Sequence, residues 1–232
     1  MVFIFLDSLI LIRICYFLVN IWENDMLCVR ELGMRITNTK ERLILAAIEL
    51  FSTKGYEGTS VEEIAKAVGI KAPSIYDHFK GKEALLYAVR DYADIVYDKG
   101  MQFNRVQSET VCSNDGFKEF TMQLIEFTLN NDIARKMRRM MTIEQFRNEF
   151  FTEMATKRNV TVLKDIYENV FTRLMDLGIM QKGNPGIYAL QFISPVTLMI
   201  QLCDREPNRK DEALEIVSEH IDVFIQKYFT KG

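Results

Sequence analysis

Residues 70–86 read IKAPSIYDHFKGKEALL, and the fold prediction for this chain starts from them. Pro73 suits the first turn of a helix, because the N–H that proline lacks has no hydrogen-bond partner at that position. Ile75 and Phe79 are four residues apart and lie on the same side of a helix, so we expect both to be buried. A glycine ends the short helix, and Lys82 then begins a long amphipathic run. The stretch therefore predicts a short helix that is packed on one side and followed at once by another helix.

Two more helices are predicted before this stretch. Residues 39–53 carry apolar side chains at helical spacing and are followed by a glycine. Ser60 and Glu63 have the spacing of a capping box at the start of the next helix. Gly69 ends that helix at a position suited to the left-handed conformation. Residues 60–79 thus have the layout of a helix-turn-helix, a motif that places its second helix in the major groove of DNA.

The composition predicts an all-helical protein. Of its 232 residues, 48% are hydrophobic, and only four prolines and eleven glycines interrupt the chain. Long stretches without either residue, rich in Leu, Ile, Glu, Lys and Met, favour helices. The net charge of −3 argues against a protein that binds nucleic acid over its whole surface. Residues 34–82, however, carry eight Lys and Arg against six Asp and Glu, so a slight positive excess coincides with the motif.

The cysteines and histidines are too widely separated to suggest a metal site, a disulfide framework or a Ser-His-Asp arrangement. Unpaired cysteines favour a reducing compartment, so we expect a cytoplasmic protein. We predict no catalytic residue, no metal and no cofactor, which makes an enzyme the least favoured class. The residues concerned are Cys15, Cys28, Cys112, Cys203, His78 and His220.

The segment GYEGTSVEEIAKAVGIKAPSIYDHFKGKEALL, residues 55–86, resembles the N-terminal domain of the TetR family of bacterial transcription regulators. The family pattern is an ordered set of residue pairs, each weak alone and specific together. The rest of the chain carries no such motif. The pairs present, in order and without gaps, are Gly55-Tyr56, Thr59-Ser60, Ile64-Ala65, Gly69-Ile70, Ile75-Tyr76, His78-Phe79, Lys82-Glu83 and Leu85-Leu86.

This resemblance implies binding to double-stranded DNA through the front of the short helix. Ala72 would touch a thymine methyl, Ser74 a base or a phosphate, and Tyr76 the DNA backbone. Asp77 either accepts a hydrogen bond from cytosine N4 or faces solvent, and His78 is either a phosphate donor or a structural residue. The residues implied to bind DNA are Thr59, Ser60, Lys71, Ala72, Pro73, Ser74, Tyr76, His78 and Lys82, with Lys82 at a phosphate.

Five further helices are predicted in the C-terminal region. Its densest basic run is RKMRRMM, residues 135–141. We expect the four cations to form a solvated face and the three methionines to face the core, with a second nucleic-acid patch as the alternative. Glu144, one turn after Met140, is expected to pair with nearby arginines. The predicted helices are 116–130, 132–155, 157–178, 186–203 and 210–229.

The resemblance implies that this region binds a small apolar inducer and forms a homodimer. The aromatic and methionine side chains of this region either pack in its core or, as the resemblance implies, some of them line an adaptable apolar pocket. The last helix is apolar on more than one face, which indicates a four-helix bundle between two copies. The predicted pocket residues are Phe120, Phe127, Met137, Met141, Phe146, Tyr167, Phe171 and Met175. The predicted dimer residues are Leu190, Leu198, Leu214, Val217, Ile221, Phe224 and Tyr228.

The N-terminal extension, residues 1–33, does not match the rest of the chain. Eighteen of the first 22 residues are apolar, which permits a membrane span by length. Against a span, Asp7 and Arg13 would each cost about 2.5–3.5 kcal/mol at the centre of the bilayer. The alternatives are a misassigned start upstream of Met34, a membrane anchor, or a packed extra helix. N-terminal sequencing of the native protein distinguishes them, because a first residue near Met34 removes the anchor.

We therefore interpret the chain as all-α. A three-helix helix-turn-helix DNA-binding domain spans 34–82, and a C-terminal helical ligand-binding and dimerisation domain spans 83–232. The expected function is a dimeric transcription regulator, specifically a repressor that a small molecule releases from a palindromic operator. The alternative is a DNA-binding adaptor whose helical domain binds a protein partner.

Overall fold

The computed structural model describes the backbone of residues 38–230 and the side chains of 38–97 and 111–230. Over this part of the chain the prediction of an all-α fold is confirmed. The extension 1–33 lies outside the described residues, and so does the choice between start site, anchor and extra helix. The α-helices are α1 (Thr39–Lys54), α2 (Val61–Val68), α3 (Lys82–Thr110), α4 (Asn114–Asn130), α5 (Asp132–Glu144), α6 (Glu149–Thr156), α7 (Val162–Asp176), α8 (Pro185–Arg205) and α9 (Lys210–Tyr228).

Helix α2 begins and ends as predicted. Ser60 Oγ accepts a hydrogen bond from Glu63 N at 3.2 Å, and Glu63 Oε2 accepts one from Ser60 N at 2.9 Å, which completes the capping box. Gly69 follows the last turn with φ of 78°, in the left-handed region. Hydrogen bonds from the Lys54 ammonium and the Ser60 N–H hold the pKa of Glu63 below its ordinary value. The cap is therefore charged at neutral pH, and its contribution to stability is lost as pH falls through that lowered pKa.

The segment after α2 is tighter than predicted. The sequence predicted one short helix over 72–79, whereas the structure has a 3-10 helix, Ala72–Ile75, followed by a turn. The N–H groups of Ser74 and Tyr76 each donate to the carbonyl oxygen three residues back, at 2.9 and 3.1 Å. So short a segment completes only one or two turns. In such pieces, hydrogen bonds from an N–H to the carbonyl oxygen three residues back are common.

The apolar core of the helix-turn-helix continues into the C-terminal region. Phe51 of α1 and Ile75 of the 3-10 helix are fully buried in it. Met137 and Met141 of α5, together with Phe151 of α6, belong to the same cluster. Apolar side chains from both sides of residue 83 thus share one core, and the domain boundary placed there stays a prediction.

A second core lies among α4, α7, α8 and α9 and consists mainly of aromatic rings. The Phe192 ring is at its centre, with centroid distances of 5.1 Å to Phe117, 4.8 Å to Tyr167 and 4.8 Å to Phe224. The His220 ring stacks on Phe192 at 5.2 Å. Such aromatic pairs contribute about 0.5–1.5 kcal/mol each beyond the area they bury. The ring cluster therefore holds the four helices together.

The predicted helix 132–155 is broken in the structure, and the break predicted after it is absent. Helix α5 ends at Glu144, and α6 begins after Asn148, whose Oδ1 accepts from Phe150 N at 3.0 Å. Asparagine is a preferred N-cap, so this residue is a local cause of the new start. At the other end, a π-helix, Lys157–Thr161, joins α6 to α7. Neither boundary is marked by glycine or proline, so the sequence pattern alone does not reveal them.

Within the described residues, α8 is the one helix long and apolar enough to cross a membrane, with 21 residues and a mean hydropathy of 1.5. Its Ala189, Phe192 and Val196 side chains are buried in the second core. A helix packed on one side against α7 and α9 meets the same criteria of length and composition. We therefore describe α8 as a core helix.

Candidate nucleic-acid interface

The 3-10 helix and the turn after it present one side to the core and the other to solvent. Ile75 is fully buried and Phe79 is 5% exposed, as the four-residue spacing predicted. Tyr76 is 59% exposed. The solvent side also includes the exposed Lys71, Pro73, Asp77 and His78 and the half-buried Ala72 and Ser74.

Two helix starts precede and follow this segment in the chain. The Ser60 hydroxyl is exposed, and because its oxygen accepts from Glu63 N, its proton remains available to a phosphate. Helix α3 begins at Lys82 after Gly81, without a side-chain cap on its first N–H groups. Free N–H groups and the positive end of a long helix favour an anion at this place. The Lys82 Nζ lies 4.3 Å from the centroid of the Tyr56 ring, which orients the ammonium by a cation–π contact.

Thr59 does not lie on the surface, contrary to the DNA contact predicted for it. Its side chain is 2% exposed, and its Oγ1 donates to the Gly55 carbonyl oxygen at 2.8 Å. Its backbone N–H donates to the Tyr56 carbonyl oxygen at 3.3 Å. The residue closes the turn between α1 and α2, so a threonine here is needed for local structure and is not accessible to DNA.

The turn also contacts a residue that sequence reasoning did not assign to it. Glu144, the last residue of α5, is 1% exposed, and its Oε1 accepts from Tyr56 N at 2.8 Å. The sequence predicted pairing with nearby arginines instead. The contact joins residues 88 positions apart, and nothing in the local pattern around Glu144 indicates it.

The prediction for the basic run is correct for its methionines and wrong for one arginine. Met137, Met140 and Met141 are buried as expected. Arg138 is only 8% exposed and pairs with Asp204 of α8, through Nε–Oδ2 and Nη2–Oδ1 distances of 2.7 Å each. The run is thus no continuous solvated face and no continuous basic patch for nucleic acid.

The residues predicted to form a ligand pocket are not brought together. Phe120, Tyr167, Phe171 and Met175 are buried in the ring cluster. The other predicted residues lie elsewhere: Met137 and Met141 are in the helix-turn-helix core, Phe127 is half-buried, and Phe146 is 91% exposed in the turn before α6. Burial raises the pKa of the Tyr167 hydroxyl, so this group stays neutral among the rings.

The structure also has a small pocket of about 40 Å³, well below the roughly 300–1,000 Å³ typical of ligand sites. It is lined by residues of α4, α5, α8, the 3-10 helix Pro207–Arg209 and the start of α9, and not by the predicted set. Its lining residues are Leu129, Arg135, Cys203, Asp204, Pro207 and Lys210.

The residues predicted to form a dimer interface divide into two groups. Val217, Ile221 and Phe224 are at most 4% exposed and pack inside their own protomer, so their prediction as interface residues is wrong. Leu198 is 59% exposed and Leu190 is 37% exposed. Leu214 and Tyr228 are half-buried, and the Tyr228 hydroxyl donates to Gln191 Oε1 at 2.9 Å.

The outer face of α8 and α9 carries apolar residues that the predicted set omitted. Ile187 on α8 is 49% exposed, and Ile216 and Val223 on α9 are 40% and 54% exposed. We call these three residues, with Leu190 and Leu198, the outer apolar face. The sequence did signal it, because α9 is apolar on two sides, but the pattern does not tell which side is buried within the protomer.

Comparison with known proteins agrees with the local motif. The family profile described as "Bacterial regulatory proteins, tetR family" matches residues 43–89. The probable HTH-type transcriptional regulator YttP of Bacillus subtilis is 24% identical over 194 residues, which are 83% of this chain and 89% of that protein. IcaR of Staphylococcus aureus, the negative transcriptional regulator of the biofilm operon icaADBC, is 50% identical over 46 residues. That match covers 20% of this chain and 25% of IcaR.

Solved structures show the same fold over most of the chain. A putative TetR-family transcriptional regulator from Mesorhizobium loti has a TM-score of 0.67 and 24% identity, and the match covers 84% of this chain and 99% of that one. SmeT, the repressor of the Stenotrophomonas maltophilia multidrug efflux pump SmeDEF, has a TM-score of 0.62 and 22% identity, with 84% and 93% covered. A SmeT–triclosan complex matches similarly, with a TM-score of 0.63.

Proposed function

We propose that this chain, whose residues 43–89 match the profile of the TetR family of bacterial transcription regulators, acts as such a regulator, specifically as a dimeric, cytoplasmic repressor that a small molecule releases from a palindromic operator. The observation that carries the proposal is the solvent side of the 3-10 helix and turn, where Tyr76 and its neighbours are exposed while Ile75 and Phe79 anchor the segment. IcaR, which shares half of its residues with this chain over the matched 46, is a negative regulator, and this supports repression.

The DNA contacts divide into two kinds. Ala72, Ser74 and the flanking Lys71 are at the front of the segment and are proposed to meet base edges in the major groove. Ser60, Tyr76 and Lys82 are proposed to contact phosphates, which fix position without reading sequence. Because phosphate contacts act on every sequence, changes at the two kinds of residue should have different consequences.

Removal of the Lys82 ammonium tests the phosphate contact. We expect Lys82→Ala to weaken binding to operator and random DNA by a similar factor, and to reduce the slope of log affinity against log salt by about 0.9 per protomer, or roughly 1.8 per dimer. Lys182→Ala, which removes an equally charged side chain beyond α7, is the matched control and should leave the slope unchanged. Gel shifts at several salt concentrations measure both. An unchanged slope for Lys82→Ala would contradict the docking.

The outer apolar face is proposed to pair with the same face of a second copy. Two α8–α9 pairs would form a symmetric four-helix bundle. Such a dimer presents two segments 72–79, one from each protomer, to two operator half-sites about one helical turn of DNA apart. In support, Leu198 and Val223 are each more than half exposed in one protomer.

A charge on this face should separate the protomers. Leu198→Glu would bury an unpaired carboxylate twice per dimer, so we expect the dimer dissociation constant to rise by about 100-fold or more. Leu177→Glu is the control, since Leu177 is 51% exposed and lies outside the outer apolar face. Sedimentation analysis measures both variants. A Leu198→Glu protein that stays dimeric at low concentration would contradict the proposed interface.

The inducer is proposed to be apolar and to enter the ring cluster around Tyr167 and Phe192. SmeT, which has a similar fold, forms a complex with triclosan. In this chain the rings pack against one another, so a ligand must displace some of them and would favour a different packing of α4, α7 and α8. The dimer releases DNA if the ligand-bound packing also changes the distance between the two segments 72–79, one in each protomer.

The alternative, an adaptor whose helical region binds a protein, is supported by Phe146, which is 91% exposed in the turn before α6. One experiment separates the two. The intergenic DNA beside the gene is tested in a gel shift, and candidate apolar metabolites are then added. Binding that metabolites release supports the repressor. Binding that is released by no metabolite favours the adaptor, and failure to bind any DNA at low salt contradicts both.

A further inference from the structure

One buried carboxylate connects the C-terminal helices to the turn that starts the helix-turn-helix. The Oε1 of Glu144 accepts from Tyr56 N at 2.8 Å, and the residue is 1% exposed. A hydrogen bond to a charged acceptor contributes about 1.5–3 kcal/mol, more than a neutral one. This bond is therefore strong enough to decide where the turn lies relative to α5.

The turn is built around this carboxylate. Gly55 has φ of 79°, and a Cβ placed on it would lie 2.4 Å from Glu144 Oε1. Only glycine allows both the left-handed backbone and the close approach of the carboxylate. On the other side of the turn, Thr59 Oγ1 donates to the Gly55 carbonyl oxygen. Glu144 and Thr59 thus hold the Gly55–Tyr56 peptide from two sides.

The Tyr56 ring extends the contact to the elements proposed to meet DNA. Its centroid is 5.3 Å from the Phe51 ring of α1 and 6.1 Å from the Phe151 ring of α6. The Lys82 Nζ, at the start of α3, lies 4.3 Å from the same centroid. A shift of α5 that moved Glu144 would therefore move the turn, the start of α2 and the Lys82 ammonium together.

The second carboxylate oxygen is not stabilised in the same way. Glu144 Oε2 is buried and accepts no hydrogen bond from a protein group in the described part of the chain. A buried polar atom without a partner lowers the net stability of the arrangement. The contact holds the turn through one oxygen and is weakened by the other, so it can open at smaller cost than a fully paired carboxylate.

We propose that Glu144 is the positioning residue through which the C-terminal helices set the affinity for operator DNA. When Oε1 holds the Tyr56 N–H, the α1–α2 turn and Lys82 are in the DNA-binding arrangement. When α5 moves away, the turn is released and affinity falls. This inference rests on the proposed function, since it concerns operator binding, but it adds a residue and a contact that the family motif does not contain.

Three variants test it in the full-length chain. Glu144→Gln keeps an acceptor oxygen, now neutral, and supplies an N–H₂ group in place of Oε2, so operator affinity should fall by no more than about fivefold. Glu144→Leu has a similar size and no acceptor, and it should lower operator affinity by about tenfold or more. Gln145→Leu, at the next position, is the control and should leave affinity unchanged. Gel shifts are run at a temperature at which circular dichroism shows every variant folded.

Hydrogen exchange of the wild-type Tyr56 amide tests the proposal without a substitution. If DNA binds only the closed turn, operator at 100 times its dissociation constant should slow exchange at this amide by about 100-fold. The Gln181 amide, which donates to the Tyr228 carbonyl oxygen at 3.0 Å, reports on the C-terminal region in the same experiment and should slow much less.

The outcomes separate the two proposals. If the wild type binds operator and Glu144→Leu binds it with equal affinity, the role of Glu144 is overturned and the proposed function stands. The same holds if bound operator leaves hydrogen exchange at the Tyr56 amide unchanged. A loss of affinity in Glu144→Gln as large as in Glu144→Leu would also overturn it, because the charge and not the acceptor would then matter. Wild-type protein that binds no DNA would overturn both.

Discussion

Replacing Arg138 with alanine is expected to lower the free energy of unfolding by about 3–5 kcal/mol, because it removes one partner of a buried ion pair. The guanidinium binds both carboxylate oxygens of Asp204 at 2.7 Å and donates from Nη1 to the Thr128 carbonyl oxygen at 2.8 Å. The Asp204 side chain is 19% exposed, so the carboxylate left behind gains little compensation from water. One arginine thus joins α5 to α8 and to the end of α4.

The control is the next residue on the same helix. Arg139 is exposed, and Arg139→Ala should change the free energy of unfolding by no more than about 0.5 kcal/mol. Urea denaturation followed by circular dichroism measures both variants. The double variant Arg138→Leu with Asp204→Leu should recover most of the loss, since replacing both partners leaves no buried charge. Equal effects of Arg138→Ala and Arg139→Ala would contradict the importance of the pair.

Replacing Gly55 with alanine is expected to have the second large effect. A left-handed backbone costs a non-glycine residue about 1–2 kcal/mol. The added Cβ would also lie 2.4 Å from Glu144 Oε1 and 3.3 Å from Ile143 Cγ2, so the carboxylate must leave its place. Loss of its hydrogen bond to Tyr56 N should add about 1.5–3 kcal/mol to the destabilisation. If Glu144 positions the turn, Gly55→Ala should also lower the affinity for operator DNA.

Gly178 provides a control for the backbone alone. Its φ of 72° is close to that of Gly55, and a Cβ there would meet no atom within 4 Å. Gly178→Ala should therefore cost only the left-handed backbone strain of about 1–2 kcal/mol. Thermal unfolding of the two variants under identical conditions gives the difference. A Gly55→Ala protein no less stable than Gly178→Ala would show that the approach of the carboxylate constrains nothing.

The features correctly predicted from the sequence depend on residues that are close together in the chain. The capping box of Ser60 and Glu63 spans three residues, and the inward pair Ile75 and Phe79 spans four. The position of Gly69 after an apolar stripe predicts a left-handed conformation, and its φ of 78° confirms it. The capping-box pair meets whenever α2 forms, and Ile75 and Phe79 are buried together even though their segment is a 3-10 helix and a turn. Such short-range patterns therefore suffice for the fold class and for the buried side of the helix-turn-helix.

The errors concern contacts between distant parts of the chain. Arg138 reaches Asp204 across 66 residues, and Glu144 reaches Tyr56 across 88, and neither has a local signal. Likewise, α9 is apolar on two sides, and the packing of α4, α7 and α8 turned Val217, Ile221 and Phe224 inward while leaving Val223 outside. A helical pattern gives the relative directions of side chains but not the neighbour that each side meets. That neighbour depends on which helices pack together, and only the tertiary structure decides it.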